Sequence, residues 1–183
     1  MEIKTPRLVL REYSELDFEA VHSYASDEDV TRYMSFGPNS KEYTQAFLSK
    51  MVELANRTPR TDYHFAIELL STGKLIGGCG LVTHNEINKD AEIGYVLHPD
   101  YHRQGYAPEA SQALIQYAFK TLGLHRIYAY HHPENPKSGR VMQKLGMQYE
   151  GLMRKSHWIK DSWWDFHVYA ILEDDPIPPW ETN

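Results

Sequence analysis

The sequence predicts a single α+β domain: a twisted, mixed central sheet of about seven strands with helices on both faces. Three observations carry that expectation. Seven short runs that alternate or are dense in β-formers are interleaved with stretches of helical period. No repeat or linker divides the 183 residues, a length that suits one domain (residues 1–183) able to bury a core without disulfides or metals. Residues 91–110 read as strand, tight loop and helix, and the rest of the chain is organised around them.

Taken in order, residues 7–12 alternate as a first strand. Ser14 with Asp17 three residues on fits a capping box, and Phe18, Val21, Tyr24 and Ala25 form the apolar stripe of the helix that follows. Ser26 with Asp29 is expected to cap a short helical turn through Tyr33. Gly37-Pro38-Asn39 breaks that turn, leaving residues 33–37 as a loop, and Tyr43, Phe47, Met51 and Leu54 mark a longer amphipathic helix. Residues 64–70 and 74–83 are strands joined by Ser71-Thr72-Gly73, which suits a hairpin.

After a polar connection, Glu92 to Leu97 forms the central strand, stopped by Pro99 and Asp100. Ala110, Leu114, Tyr117 and Ala118 share a helix face that Leu122-Gly123 closes. Residues 126–131 are a strand, 136–145 a helix ended by Gly146, and 147–159 and 163–172 the last two strands. Residues 174–183, with Pro176, Pro178 and Pro179, cannot extend a sheet and read as a tail.

Hydrophobic content of 42% and charged content of 24% are those of an ordinary globular protein. The net charge of -6 and the lack of a Lys/Arg run argue against nucleic acid as a partner, while an acidic surface suits a cationic acceptor. Cys79 stands alone, so no intrachain disulfide is possible. It lies in the apolar run from Leu75 to Val82 and reads as packing, not as a nucleophile. Neither a signal peptide nor a membrane span is evident, and a cytoplasmic location without membrane association is expected.

The loop before the helix at 107 is the informative stretch. Gly105 lets backbone approach a ligand closely, and the amides around it sit at the positive end of a helix, where a phosphate can dock. Neither Gly-x-x-x-x-Gly-Lys-Ser/Thr nor Gly-x-Gly-x-x-Gly is present there, which disfavours the nucleotide folds.

Ile93-Gly94-Tyr95-Val96-Leu97-His98-Pro99-Asp100-Tyr101, followed by Gln104-Gly105-Tyr106-Ala107-Pro108-Glu109-Ala110, resembles the coenzyme-A loop of the GNAT superfamily of acyl-CoA N-acyltransferases. The likeness is strongest to its RimJ/RimL-type branch, and the short consensus of the loop is Gln/Arg-x-x-Gly-x-Gly/Ala. Downstream, Asn135-Pro136-Lys137-Ser138 and then Lys144-Leu145-Gly146-Met147 are similar to the family's Asn-x-x-Ser/Ala helix running into Lys-x-Gly-Phe. The opening residues 5–11 are similar to the branch's first strand, so the resemblance spans residues 5 to about 172.

The resemblance implies the GNAT fold, acetyl-CoA as co-substrate, no metal, and direct attack by an amine in a ternary complex. Arg103, Gln104, Gly105, Tyr106 and Ala107 would hold the pyrophosphate, and Val96 and Leu97 would pair with the pantetheine arm where the family splays its sheet. His102 departs from the consensus at its first position. Asn135 and Ser138 would reach the pantetheine and the sulfur, or simply cap their helix.

Met142 stands where many members carry a proton-donating Tyr, so Ser138 becomes the candidate acid. Glu92 is the candidate base, directly or through water; a strand-end carboxylate also serves as a solvated surface group. Glu109 reads as a partner of the helix dipole. The loop from Tyr33 to Phe36 is expected to meet the acceptor, and Trp158, Trp163, Trp164 and Tyr169 to form either an acceptor wall or packing and a homodimer face.

His98-x-x-x-His102 has ligand spacing, but Pro99 denies it a helix, and the adjacent His131 and His132 point opposite ways in a strand. The expected acceptor is a protein N-terminal α-amine. A polyamine or aminoglycoside acetyltransferase and a non-catalytic acyl-CoA-binding module remain the alternatives.

Overall fold

The computed structural model describes residues 1–85 and 87–179, so the last four residues of the expected tail lie outside it. Eight strands form one sheet in the order β1-β2-β3-β4-β5-β6-β8-β7. They are β1 (Glu2–Lys4), β2 (Leu8–Arg11), β3 (Asp62–Leu69), β4 (Leu75–Asn85), β5 (Asp90–Leu97), β6 (Arg126–His131), β7 (Gln148–Ile159) and β8 (Ser162–Leu172). Five helices accompany them: α1 (Phe18–Ala25), α2 (Glu28–Thr31), α3 (Lys41–Ala55), α4 (Tyr106–Lys120) and α5 (Pro136–Lys144).

The strand beyond the expected seven is β1. Its three residues are too short to show a pattern, and it exists by pairing antiparallel with β2, Ile3 opposite Leu10. The cap of α2 also differs from the expected Ser26: Asp27 accepts from the amides of Asp29 at 2.8 Å and Val30 at 3.2 Å. Both residues are capping types, and the carboxylate one position later meets two amides at once. Asp17 accepts from the Ser14 amide at 2.8 Å as expected, but a short 3₁₀ turn, Glu15–Asp17, intervenes before α1.

Alternation along β3 divides the core between two faces. Phe65, Ile67 and Leu69 pack with Ala110, Leu114, Ile115 and Ala118 of α4 and with Met142 of α5. Ala66, between them, packs on the other face with Val21 and Tyr24 of α1 and Leu48 and Met51 of α3. Each large apolar side chain removed from water this way contributes about 1.5–3 kcal/mol.

Every neighbouring pair is antiparallel except β5 and β6, which α4 joins as a crossover. That parallel seam has three register pairs, Asp90 with Arg126, Ala91 with Ile127 and Glu92 with Tyr128. Beyond Glu92 the strands part, while β5 stays paired with β4 up to Leu97 opposite Gly77, and β6 stays paired with β8 up to His131 opposite His167. The sheet is therefore split from Ile93 onward.

Candidate active site

The loop between β5 and α4 forms an amide nest at one end of this split. Arg103 (φ 62°) and Gly105 (φ 81°) both adopt the left-handed region, which turns successive amides towards a common point. The first helical bond of α4 runs from the Glu109 amide to the Gly105 carbonyl at 3.1 Å, so the amides of Tyr106 and Ala107 have no carbonyl one turn back. An anion docked there meets the positive end of a 15-residue helix.

Side chains brace this loop. Arg7 donates through Nη1 to the Gln104 carbonyl at 3.0 Å and lies 4.5 Å above the Tyr106 ring. Gln104 Nε2 donates to the Asp100 carbonyl at 2.8 Å. His102, the departure from the consensus, places Nε2 3.0 Å from the Leu97 carbonyl. That imidazole fixes the turn from within.

The split itself is lined by backbone. The His98 amide donates to the Ile76 carbonyl at 2.8 Å, and ladder alternation then turns the backbone of Val96 towards β4 and that of Tyr95 and Leu97 towards the gap. Across the gap, α5 begins at Pro136 behind Asn135, whose side chain makes no capping bond. Gly139 lets α5 sit close to β6, since a Cβ there would lie 2.6 Å from His131 Nε2.

Ser138, on the first turn of α5, meets a residue that sequence reasoning passed over. The Tyr95 hydroxyl is 2.8 Å from Ser138 Oγ and 3.0 Å from the Ser138 carbonyl. Burial pushes the Tyr95 phenol well above its ordinary pKa. Period-two alternation with Ile93 and Leu97 puts Tyr95 on this face, and only the fold brings it to a partner 43 positions away. Met142 is 2% exposed and packs in the core beneath α5.

Glu92 lies on the opposite face, because Ala91 and Ile93 on either side of it belong to the α4 layer. Its carboxylate is 3.3 Å from His84 Nε2. Burial, and then the charge of Glu92, push the neighbouring Tyr130 phenol far above its usual range. On the same face Gly94 is exposed, and a Cβ built on it meets nothing within 4 Å. An open trough therefore runs over the central strand.

Aromatic rings line the side of the trough away from α1. Tyr33 stacks on His132 at 5.1 Å and 20°, and His132 meets Trp164 edge-on at 4.9 Å. Tyr130 lies 4.6 Å from Phe166 and 5.2 Å from His157. Lys160, at the tip of the β7–β8 hairpin, donates to the Thr31 carbonyl at 2.6 Å and ties that wall to the end of α2.

Phe36 and the remaining aromatics, expected either at an acceptor wall or as packing and a dimer face, take separate places. Phe36 packs against the α1–α3 cluster and borders a hollow of about 440 Å³ with Asn39, Tyr43 and Lys160. Trp158 and Trp163 pair with each other on the exposed far end of the hairpin, and Tyr169 is buried in the α4 layer. Of the four aromatics grouped in the sequence, Trp164 is the one on the trough.

Cys79 is buried, and that burial raises its thiol to about 12, so it offers no thiolate for a covalent intermediate. Among the described residues no group of three or more His, Cys, Asp or Glu could hold a metal, and no helix is long and apolar enough to cross a membrane.

A mixed sheet split beside an amide nest at a helix start has the shape an acyl-CoA-dependent acyltransferase needs. Residues 7–148 match the acetyltransferase (GNAT) domain, and the chain belongs to that family as an acetyl-CoA-dependent N-acetyltransferase. It is 39% identical over 176 residues to the uncharacterised N-acetyltransferase YnaD of Bacillus subtilis, covering 96% of this chain and 99% of that one. The crystal structure of a GNAT-family acetyltransferase from Bacillus anthracis superposes with a TM-score of 0.85 at 39% identity, over 96% and 100% of the two chains.

Two more distant relatives carry different acceptors in their names. A spermidine N(1)-acetyltransferase of Vibrio cholerae is 24% identical over 169 residues, 91% of this chain and 94% of that one. The ribosomal-protein-serine acetyltransferase of Escherichia coli is 33% identical over 98 residues, 52% of this chain and 55% of that one.

Proposed function

We propose that this chain acetylates the α-amine of a protein N-terminus, with the coenzyme pyrophosphate on the amides of residues 103–107 and the pantetheine arm in the gap between β5 and β6. Asn135 and the gap-facing backbone at Leu97 hold the arm. The acetyl group then reaches the trough, where Glu92, or a water it orders, takes one proton from the arriving ammonium. The free amine attacks the thioester carbonyl, and the Leu97 amide stabilises the oxyanion.

As the C–S bond breaks, Ser138 Oγ–H donates to the thiolate and solvent restores the serine proton. The nitrogen loses its second proton to solvent as the amide forms, and Glu92 then returns its proton to solvent. Products are the N-acetyl amide and the free thiol.

What supports the acceptor choice is the trough over Gly94, where Glu92 stands beside Tyr130 and the wall continues through Tyr33, His132 and Trp164. One ammonium followed by an extended chain suits such a cleft. A polyamine calls for a carboxylate near each of its charges, and rings occupy those places in the named wall.

The test is amine-dependent release of coenzyme-A thiol from acetyl-CoA with Ser- and Ala-initiated peptides, spermidine and an aminoglycoside. Peptide-selective turnover supports the proposal, whereas turnover with spermidine alone moves the chain to the small-amine class. Silence with every acceptor, together with tight acetyl-CoA binding, favours a binding module. Glu92→Gln and Ser138→Ala are each expected to cost about a hundredfold in kcat, and near-wild-type rates in both overturn the assigned roles.

A further inference from the structure

We propose that Tyr95 is a positioning residue that sets the direction of the Ser138 hydroxyl proton. The inference rests on the role of Ser138 proposed above, and its geometry is independent of that role. One phenolic proton has two acceptors within reach, both on the same serine: Oγ at 2.8 Å and the carbonyl oxygen at 3.0 Å. A carbonyl only accepts. When Tyr95 donates to it, the serine hydroxyl must donate back to the phenol oxygen, and its proton points away from the sulfur.

When the phenolic proton turns to Oγ instead, the serine proton is released towards the gap. Negative charge arriving on sulfur favours this second arrangement, because Oγ–H then faces an anion while Oγ accepts from the phenol. Burial keeps Tyr95 neutral, so it supplies no proton of its own. Over the whole cycle no bond to its oxygen is made or broken. Tyr95 also spans from the central strand to α5, holding the serine at a fixed place across the split.

The test is a double-mutant cycle with Tyr95→Phe, Ser138→Ala and the pair, reading kcat, the KM for acetyl-CoA and the melting temperature. Tyr95→Phe is expected to lower kcat about tenfold while leaving that KM within about twofold. In the Ser138→Ala background it is expected to lower kcat no further.

Wild-type turnover in Tyr95→Phe, or the same loss with and without Ser138, overturns the inference. Wild-type turnover in Ser138→Ala overturns the serine role and this inference together. An impaired Ser138→Ala with an additive Tyr95→Phe removes the Tyr95 inference alone.

Discussion

The Glu109 carboxylate and the Arg7 guanidinium, 102 positions apart in the chain, meet at 2.7 Å beneath the first turn of α4. Glu109 is 2% exposed and also accepts from Thr5 Oγ1 at 2.6 Å and the Arg7 amide at 3.0 Å. A helix-dipole role, read from position alone, understates this residue, which anchors the amino-terminal segment to the coenzyme loop.

Glu109→Gln is expected to destabilise the fold by about 1–3 kcal/mol, because it puts amide hydrogens into a buried site where carboxylate oxygens accepted from Thr5 and Arg7. The same change should weaken acetyl-CoA binding, since Arg7 also holds the Gln104 carbonyl. Urea unfolding and a coenzyme titration read the two effects separately. A stability loss with unchanged affinity would show that the loop keeps its shape without this brace.

Gly105 occupies a left-handed conformation that a Cβ disfavours. Gly105→Ala should cost about 1–2 kcal/mol and raise the KM for acetyl-CoA about tenfold by turning the amides out of the nest. Asn tolerates this region better, so Gly105→Asn should restore part of the affinity. Equal affinity in all three proteins would place the pyrophosphate elsewhere.

Gly94 tests the trough. Nothing lies within 4 Å of a Cβ at this position, so Gly94→Val should fold with a melting temperature close to wild type. The KM for the amine should rise at least about tenfold while that for acetyl-CoA stays put, since a filled cleft loses on the order of 1–3 kcal/mol of fit. An unchanged amine KM would move the acceptor off the central strand.

Two histidines set an acid limit on stability. Burial depresses the pKa of both His64 and His131. Their unfolded forms take up protons near pH 6.5 while the folded forms refuse them. The unfolded state then binds more protons, so stability should fall as pH drops below about 6.5. Chemical denaturation at pH 7.5 and 5.5 measures the slope, and His64→Gln should flatten it; an unaltered slope would assign the loss to other groups.

The elements legible in the sequence are those whose own pattern decides them. The strand expected at 126–131 is β6 to the residue, because alternation, Pro133 and Gly123 bound it locally. β1 was invisible because its order comes from its neighbour β2. The tight turn at Gly105 could be read because chain order and φ preference are local properties.

The placement of the aromatics was legible only in part. Tyr33 and Trp164 both pack on His132, Tyr169 takes the packing alternative, and Phe36 is half-buried against the α1–α3 cluster, placements that depend on strand phase and loop path. The Tyr95–Ser138 and Arg7–Glu109 contacts join positions far apart in sequence, and no single-chain period encodes them.

Mechanically, the eight strands are two plates, β1 to β5 and β6 to β7, riveted along three residues from Asp90 to Glu92. So short a seam leaves few backbone bonds holding the two plates together. A coenzyme arm bonded along the free edge of β5 would act as a missing ninth strand and stiffen both plates at once. Amide exchange at Tyr95 and Leu97, whose backbone faces the gap, would then slow on coenzyme binding by more than at any position in β3.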